Sequence, residues 1–538
     1  HAVVDATGKV VTPCPSDKGC SRGACVDACA AAAESKGNVG CDFRLPTPPN
    51  YPPVKAPCFA AFVANTWGLP AKLTVTRGAT TFDVTTFARI PEAGVKESLW
   101  KAVPAAGIPV DQVAVLFLSG DPDAIFVETG ESMKCPVPTA IAASTVVAAS
   151  GKGAAFRIES SVPVSAYDIL PYGGATTHFP GAELLFPVGA WGKNYVAIGT
   201  MKGTDSSFGP LFTQIVAQAD GTKIDLLPTV DLPASAGFPA APRGVKATFT
   251  LNAGEYLQWE AASLDTSGSV VLADKDVALF TGSRFFRYQP TSAPGGESTH
   301  QQNVPVSSLA SEYLAPPYET RRADLAPEDI TSRIVGAIDG TTLTFDPVVT
   351  GAPTKIDAGQ VIDFVTPLAY DVKSQDSSHP FSIAQVMPTS NLPGGTRPGA
   401  TAPSYPPNLG DEEFVLLLPP AQYLRKYVFF TDPTYPTTNL ALTRVKGKDG
   451  FKDVTVDCLG TITGWKDVGS SGLYQVTTVD LVRAGVSVKT CQNGRHVAES
   501  EGQLGVMVWG LDSYSSYAYP GGGTAAQLST VTVSPVPK

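Results

Sequence analysis

The sequence predicts an all-β protein of about four related units, each sandwich-like and about 110 residues long, behind a small cysteine-rich lead segment. Three observations predict it. Val/Thr/Tyr/Phe runs broken by Gly, Pro, Asn and Asp dominate, with Gly at 51 positions, Pro at 47 and charged residues at only 16%, while 3.6-residue apolar periodicity is nearly absent. Val216-Ala-Gln-Ala-Asp-Gly-Thr-Lys-Ile-Asp-Leu226 and Val335-Gly-Ala-Ile-Asp-Gly-Thr-Thr-Leu-Thr-Phe345 are near copies. Each reads as a β-hairpin, two alternating runs around an Asp-Gly pair that supplies the φ > 0 residues of a tight turn. Both copies also sit in one larger frame.

The frame begins with a Pro-containing apolar strand followed by a Tyr: Phe186-Pro187-Val188 to Tyr195, Val304-Pro305-Val306 to Tyr313, Leu418-Pro419 to Tyr427. After the hairpin comes an Ala-Gly turn, at Ala253-Gly254, Ala358-Gly359 and Ala484-Gly485, and then a polar step into an apolar strand. This order divides the chain into a lead segment at 1–57, units at 58–180, 181–299, 300–410 and 411–523, and a tail at 524–538 whose Leu528 to Val533 reads as a last strand. A propeller-like ring is the alternative arrangement, since such a unit exceeds one blade of about 40 to 50 residues.

From the lead segment to the start of the first unit Cys14, Cys20, Cys25, Cys29, Cys41 and Cys58 follow one another without a Cys-x-x-Cys pair, and Cys135, Cys458 and Cys491 complete the nine. Disulfides fit this spacing better than zinc and imply an oxidising compartment. Cys25 and Cys29 fall on an expected helix from Ala24 to Ser35, projecting from one face toward separate partners. Cys58 with Cys135 is the expected bridge of the first unit, and Cys458 with Cys491 brackets an insertion in the fourth. The odd count leaves a free thiol, an intermolecular bridge or a partner in residues upstream of His1, where the pattern starts midway. The Pro run from Pro46 to Pro53 reads as a spacer or strap. The connections Pro171 to Pro180, Gln289 to Thr299 and Ser390 to Gly410 are the first candidates for a binding surface.

A net charge of −10 and a pI near 5.1 give no basic footprint for nucleic acid. No apolar run is long enough to span a bilayer, and a hydrophobic content of 43% excludes wholesale disorder. His178 and His300 occupy equivalent loops, where repeat-derived backbone bonding is a commoner role than metal binding. Asp121, Asp123, Glu128 and Glu131 form the densest acidic cluster, and Asp121, Asp123 and Glu128 are the candidate Ca2+ site, without the regular Ca2+-loop spacing. Trp259 and Trp509 lie in strong strand patterns and read as core. Trp67 and Trp465, next to glycines, are the candidate stacking residues for a ligand, together with an alternating aromatic strip of Tyr514, Tyr517 and Tyr519, for which a packed strand face is the simpler reading. No Gly-x-Ser-x-Gly, His-Glu-x-x-His or phosphate loop occurs.

The frame, the stretch from Gly268 to Ser283 (Gly-Ser-Val-Val-Leu-Ala-Asp-Lys-Asp-Val-Ala-Leu-Phe-Thr-Gly-Ser) and the closing Ser-Tyr-Ala-Tyr-Pro-Gly-Gly from Ser516 to Gly522 resemble the N-terminal domain of the IgGFc-binding protein family. The likeness is to bacterial secreted members with a Cys-rich lead segment, and it covers roughly residues 41 to 523. It implies extracellular adhesion and surface binding, with no catalytic motif to carry over; immunoglobulin binding does not follow from it. The expectation is therefore a secreted or cell-surface, non-catalytic protein that binds a glycan or a surface protein through loops. A filament subunit joined to its own copies by strand addition is the alternative. A carbohydrate-active enzyme stands behind both.

Overall fold

Long β-branched and aromatic runs can serve two sheet layers only if they bend, and the computed structural model is organised around strands that do. It describes residues 2–4, 10–128, 130–174, 179–202, 209–288, 295–401 and 408–536. His178 and parts of all three inter-unit connections lie outside the described residues.

In one sheet system the long strand Val270–Phe286 pairs over its C-terminal half with Leu211–Ala217 and Glu297–Asn303. Over its N-terminal half it pairs with Gly192–Val196 and Thr222–Leu227. Phe156–Leu170 does the same with Phe59–Ala64 and Gly181–Leu185, then Gly40–Leu45 and Leu73–Arg77. Gly494–Asp512 does so with Thr437–Val445 and Ser515–Pro520, then Leu424–Thr431 and Val454–Val456. Between them the long strand is broken into Tyr370–Ser374 and Phe381–Met387, so that its two sheets are separate layers. Leu343, Phe345 and Val372 of one layer pack there against Ile334, Phe364 and Ile383 of the other, which is sandwich packing. Gly40–Leu45 thus belongs to the first sheet system although it lies in the Cys-rich lead. Among the described residues no helix is long and apolar enough to cross a membrane.

The last strand of each system faces a common axis. Gly181–Leu185 packs against Glu297–Asn303, that strand against Glu413–Leu416, that one against Ser515–Pro520, and the last back against Gly181–Leu185. Sandwich-like systems are therefore set in a closed ring. Edge strands that meet this way leave backbone groups no ladder can pair. Buried side chains pair them instead: Gln301 Nε2 donates to Ala182 O at 2.9 Å, Phe186 N to Gln302 Oε1 at 2.7 Å, and Ser516 N to Glu297 Oε1 at 2.7 Å.

The Asp-Gly motif is real, but its reading as a hairpin needs correction. Leu211–Ala217 and Thr222–Leu227 do not pair with each other; they lie on either half of the bent strand, and the Asp-Gly turn carries the chain from one layer to the other. The turn is held by the Ala-Gly turn opposite. Asp220 Oδ1 accepts from Ala253 N at 2.9 Å while Asn252 Oδ1 accepts from Gly221 N at 3.3 Å. Asp339 and Asp357 repeat the clasp with Ala358 N at 3.0 Å and Gly340 N at 2.7 Å. Ala484-Gly485, expected as a third copy, instead joins Tyr474–Arg483 to Val486–Ser487 as a true hairpin, with φ of 51° and 74°. The recurrent Tyr has one role: the hydroxyls of Tyr195, Tyr313 and Tyr427 accept from Gly192 N, Ala310 N and Leu424 N three residues upstream, at 3.1, 3.1 and 2.8 Å.

Four disulfides form, Cys14–Cys25, Cys29–Cys41, Cys58–Cys135 and Cys458–Cys491. Cys20 is free and exposed. The helix is shorter than expected, Ala28–Ser35, because the Asp27 carboxylate caps it at Ala30 N (3.0 Å); Cys25 sits on the preceding strand Ala24–Asp27. The Pro run is a strap: Pro46 to Asn50 are buried, and Thr47 O accepts from Gln214 Nε2 at 3.1 Å. Leu528 to Val533 is not a strand, because its amides meet single acceptors and no sheet edge: Leu528 N donates to Ser307 O and Val533 N to Asn194 Oδ1, at 2.8 and 2.7 Å. Upstream of it Asn38 N donates to Gly523 O at 2.8 Å, so the tail ties the end of the ring to its beginning.

Two predictions follow from these contacts. Asp339→Ala opens one clasp and should lower unfolding free energy by about 1 kcal/mol in urea titration, the usual worth of a capping side chain; no change would show the clasp to be incidental. The second concerns pH. Burial pushes the carboxyls of Glu297, Glu412 and Glu413 well above their usual range, with Asp411 adding to it at Glu297 and Glu412, and burial pushes Asp432 up to about 6. The native state then holds more protons than the unfolded chain above about pH 4, so stability falls as pH rises through that window. The exposed Asp324 beside Arg322, lowered to about 2, acts only at more acid pH. Melting temperature should be higher near pH 5 than near pH 7.5; a fall on acidification over that range would contradict this.

Candidate functional site

The residues expected to stack on a ligand separate into two groups. Tyr514, Tyr517 and Tyr519 are buried, at 8%, 2% and 1% exposure, which corrects their reading as a binding strip. Ser515–Pro520 is one of the axial strands, packed on both faces. Trp259 and Trp509 are core. Trp67 is half-buried, with its indole N–H donating to Ser16 O at 2.7 Å. Trp465 is half-buried under the Arg444 guanidinium, 4.4 Å from the ring centre, and donates to Ile462 O at 3.1 Å. Asp121, Asp123 and Glu128 do not converge as a Ca2+ site: they are absent from the described clusters of three ligating groups, and Asp121 Oδ1 is engaged in its own turn with Asp123 N at 2.8 Å.

Two sizeable hollows lie side by side between the first and fourth sheet systems. One of about 380 Å³ and another of about 550 Å³ share Gly94, Val95, Pro433, Gln492 and Asn493 as lining, which makes them one groove. One wall is the loop from Pro91 to Glu97, pinned by the Trp100 indole N–H donating to Val95 O at 3.0 Å. The other wall is the segment Thr490 to His496 with Pro433 to Pro436. The Cys458–Cys491 bridge anchors this wall at its base, and Asn493 Nδ2 donates to Tyr435 O at 2.6 Å, bracing one part of it on the other.

The chemistry of the groove is polar and pre-set. His496 is buried with Nδ1 3.2 Å from Asp457 Oδ1 and Nε2 2.8 Å from Gln492 O. Burial opposes the Asp457 charge, but His496, the Val497 N–H and Arg495 together hold its carboxyl below the usual value. Thr490 spends its hydroxyl on Cys458 O at 3.0 Å and Cys458 its sulfur in a disulfide. Both ring nitrogens of His496 are thus engaged away from Thr490, so the groove pairs no nucleophile with a base. Asn493 leaves Oδ1 without a partner, an acceptor on a lining residue. Gln492 and Glu92 are exposed at the rim. Such a surface suits hydrogen bonding to a ligand held between braced walls.

The IgGFc-binding protein family model matches residues 181–510, more than half of the chain. The chain belongs to the IgGFc-binding protein family. The match takes in the second and third sheet systems, most of the fourth and, of the first, only the axial strand Gly181–Leu185; the rest of the first, with its Pro91 to Glu97 wall, lies outside it although it shares their pairing pattern. The family is one of binding proteins. No curated protein matches the chain. A solved structure of an anti-sigma factor domain-containing protein is 11% identical over 54% of this chain and 93% of that one, at a TM-score of 0.11, and carries no argument.

Sequence reasoning missed the groove because its walls come from segments far apart in the chain. The only local signal was the Cys458 and Cys491 pair. Replacing both cysteines by Ser should lower stability by about 3 kcal/mol in denaturant unfolding, from the loop they close; a loss below about 1 kcal/mol would show the wall to be held by other contacts.

Proposed function

We propose that this member of the IgGFc-binding family is a secreted or cell-surface, non-catalytic protein that captures a glycan or protein ligand in the groove between the first and fourth sheet systems. The observation that carries the reading is the groove itself, a polar hollow with an unpartnered Asn493 acceptor and walls fixed by a disulfide and by Trp100. The disulfides and the family support an extracellular location. Trp67 and Trp465 serve as accessory stacking surfaces in this reading. We further propose that the sheet systems are copies of one ancestral unit.

Strand addition is the weaker reading. The candidate donors are the lead segment 1–57 and Leu528 to Val533; of the first, Gly40–Leu45 is paired in the first sheet system, and the second is bonded along the ring.

The test is binding of the full chain to a glycan array and to immobilised extracellular proteins, immunoglobulin Fc among them, with Ala93→Arg and Gln492→Arg to fill the groove and Val348→Ser, on an exposed residue, as control. The groove variants should lose at least about tenfold in affinity without loss of melting temperature, and the control should bind as the parent does. Equal binding by parent and groove variants would place the ligand elsewhere.

A further inference from the structure

The ring buries an arrangement of charge that the groove does not use. Asp168 on Phe156–Leu170 and Glu183 on Gly181–Leu185 are direct cross-strand neighbours. His300, from the adjacent axial strand Glu297–Asn303, reaches them from the second sheet system, its Nε2 2.7 Å from Asp168 Oδ1. The three are 0%, 2% and 2% exposed, and one donor atom from each lies within 4.8 Å of the others. Asp168 Oδ2 and Glu183 Oε2 have no hydrogen-bond partner.

Two carboxylates opposed across a strand pair repel each other, and burial without a partner makes each more costly still. Protonation relieves the charge but leaves a buried O–H whose oxygen meets no acceptor. A divalent cation does better: with two carboxylates and a neutral imidazole it gives a site of zero net charge and occupies the unpartnered oxygens. Zinc takes this donor set at about 2.0 to 2.2 Å per bond, so the donors need to close to about 3.3 Å from one another, within reach of small side-chain rotations.

We propose that Asp168, Glu183 and His300 form a structural zinc-type divalent cation site that staples the first sheet system to the second at the ring axis. The other described clusters of this kind, Cys14/Cys20/Cys25 and Asp457/Cys458/His496, each contain disulfide sulfurs and so do not offer three ligating groups. Because no donor is exposed, the ion enters as the chain folds, and its binding energy becomes folding energy.

Elemental analysis of the full chain, produced with zinc and purified without metal columns, should find about one zinc per chain. His300→Gln should lose it, and His379→Gln, in an exposed His–Asp pair, should keep it. Should His300→Gln fail to fold, the parent unfolded in chelator with its disulfides intact and refolded with and without added Zn2+ gives the same answer: the zinc-refolded form should melt at least about 4 °C higher. A parent free of stoichiometric divalent metal that refolds identically with and without zinc, or a His300→Gln protein that keeps its metal, overturns the site.

Discussion

Everything in this molecule depends on how four strand edges can meet around one axis. An unpaired edge presents a row of N–H and C=O groups, and burying it unsatisfied is more costly than any single side-chain contact can recover. Here the edges of Gly181–Leu185, Glu297–Asn303, Glu413–Leu416 and Ser515–Pro520 are turned inward and satisfied in part by Gln301, Gln302 and Glu297. This explains an otherwise odd feature, a seven-residue strand of Glu, Ser, Thr, His, Gln, Gln and Asn that is buried throughout. A polar axis in turn traps carboxyls away from water, so the same constraint sets the protonation of Glu297, Glu412 and Glu413 and opposes Asp168 to Glu183.

Closing the ring also requires that its ends be tied, and both ends of the chain are used for it. The lead segment contributes Gly40–Leu45 and the buried Pro strap. The tail returns past Asn38 to Ser307 and Asn194. The ring thereby brings the loop from Pro91 to Glu97 opposite Thr490 to His496, and the groove exists only because of that closure. Function in this reading lies in what closure juxtaposes, and no single unit contains it.

Much of this was legible in the sequence, in a particular way. The Asp-Gly turns, the Ala-Gly turns at Ala253 and Ala358 and the Tyr positions each hold the backbone at a defined turn, and it is this role that made them visible as recurring signals. Their partners were not legible: Asp220 satisfies Ala253 N across the fold, a tertiary clasp that looks locally like a hairpin turn. Ala484-Gly485 shows the converse, since a matching dipeptide makes an ordinary hairpin. The start of Glu297–Asn303 read as part of the connection Gln289 to Thr299 because a strand whose side chains are all polar acceptors and donors carries no apolar alternation. Tyr514, Tyr517 and Tyr519 alternate with Ser as a strand does, but alternation cannot tell an axial strand buried on both faces from one with an open face. Cys58–Cys135 and Cys458–Cys491 were expected from the sequence, whereas the groove that Cys458–Cys491 helps to shape was not.

Hydrogen exchange by mass spectrometry on the full chain tests the axis most directly. If the four inner strands form one buried ring, peptides covering Glu297–Asn303 exchange as slowly as Gly181–Leu185 and Ser515–Pro520 and open with them in one cooperative step. If Glu297–Asn303 instead exchanges within seconds, as its polar composition alone would suggest, the axis is not formed and the account of the ring fails.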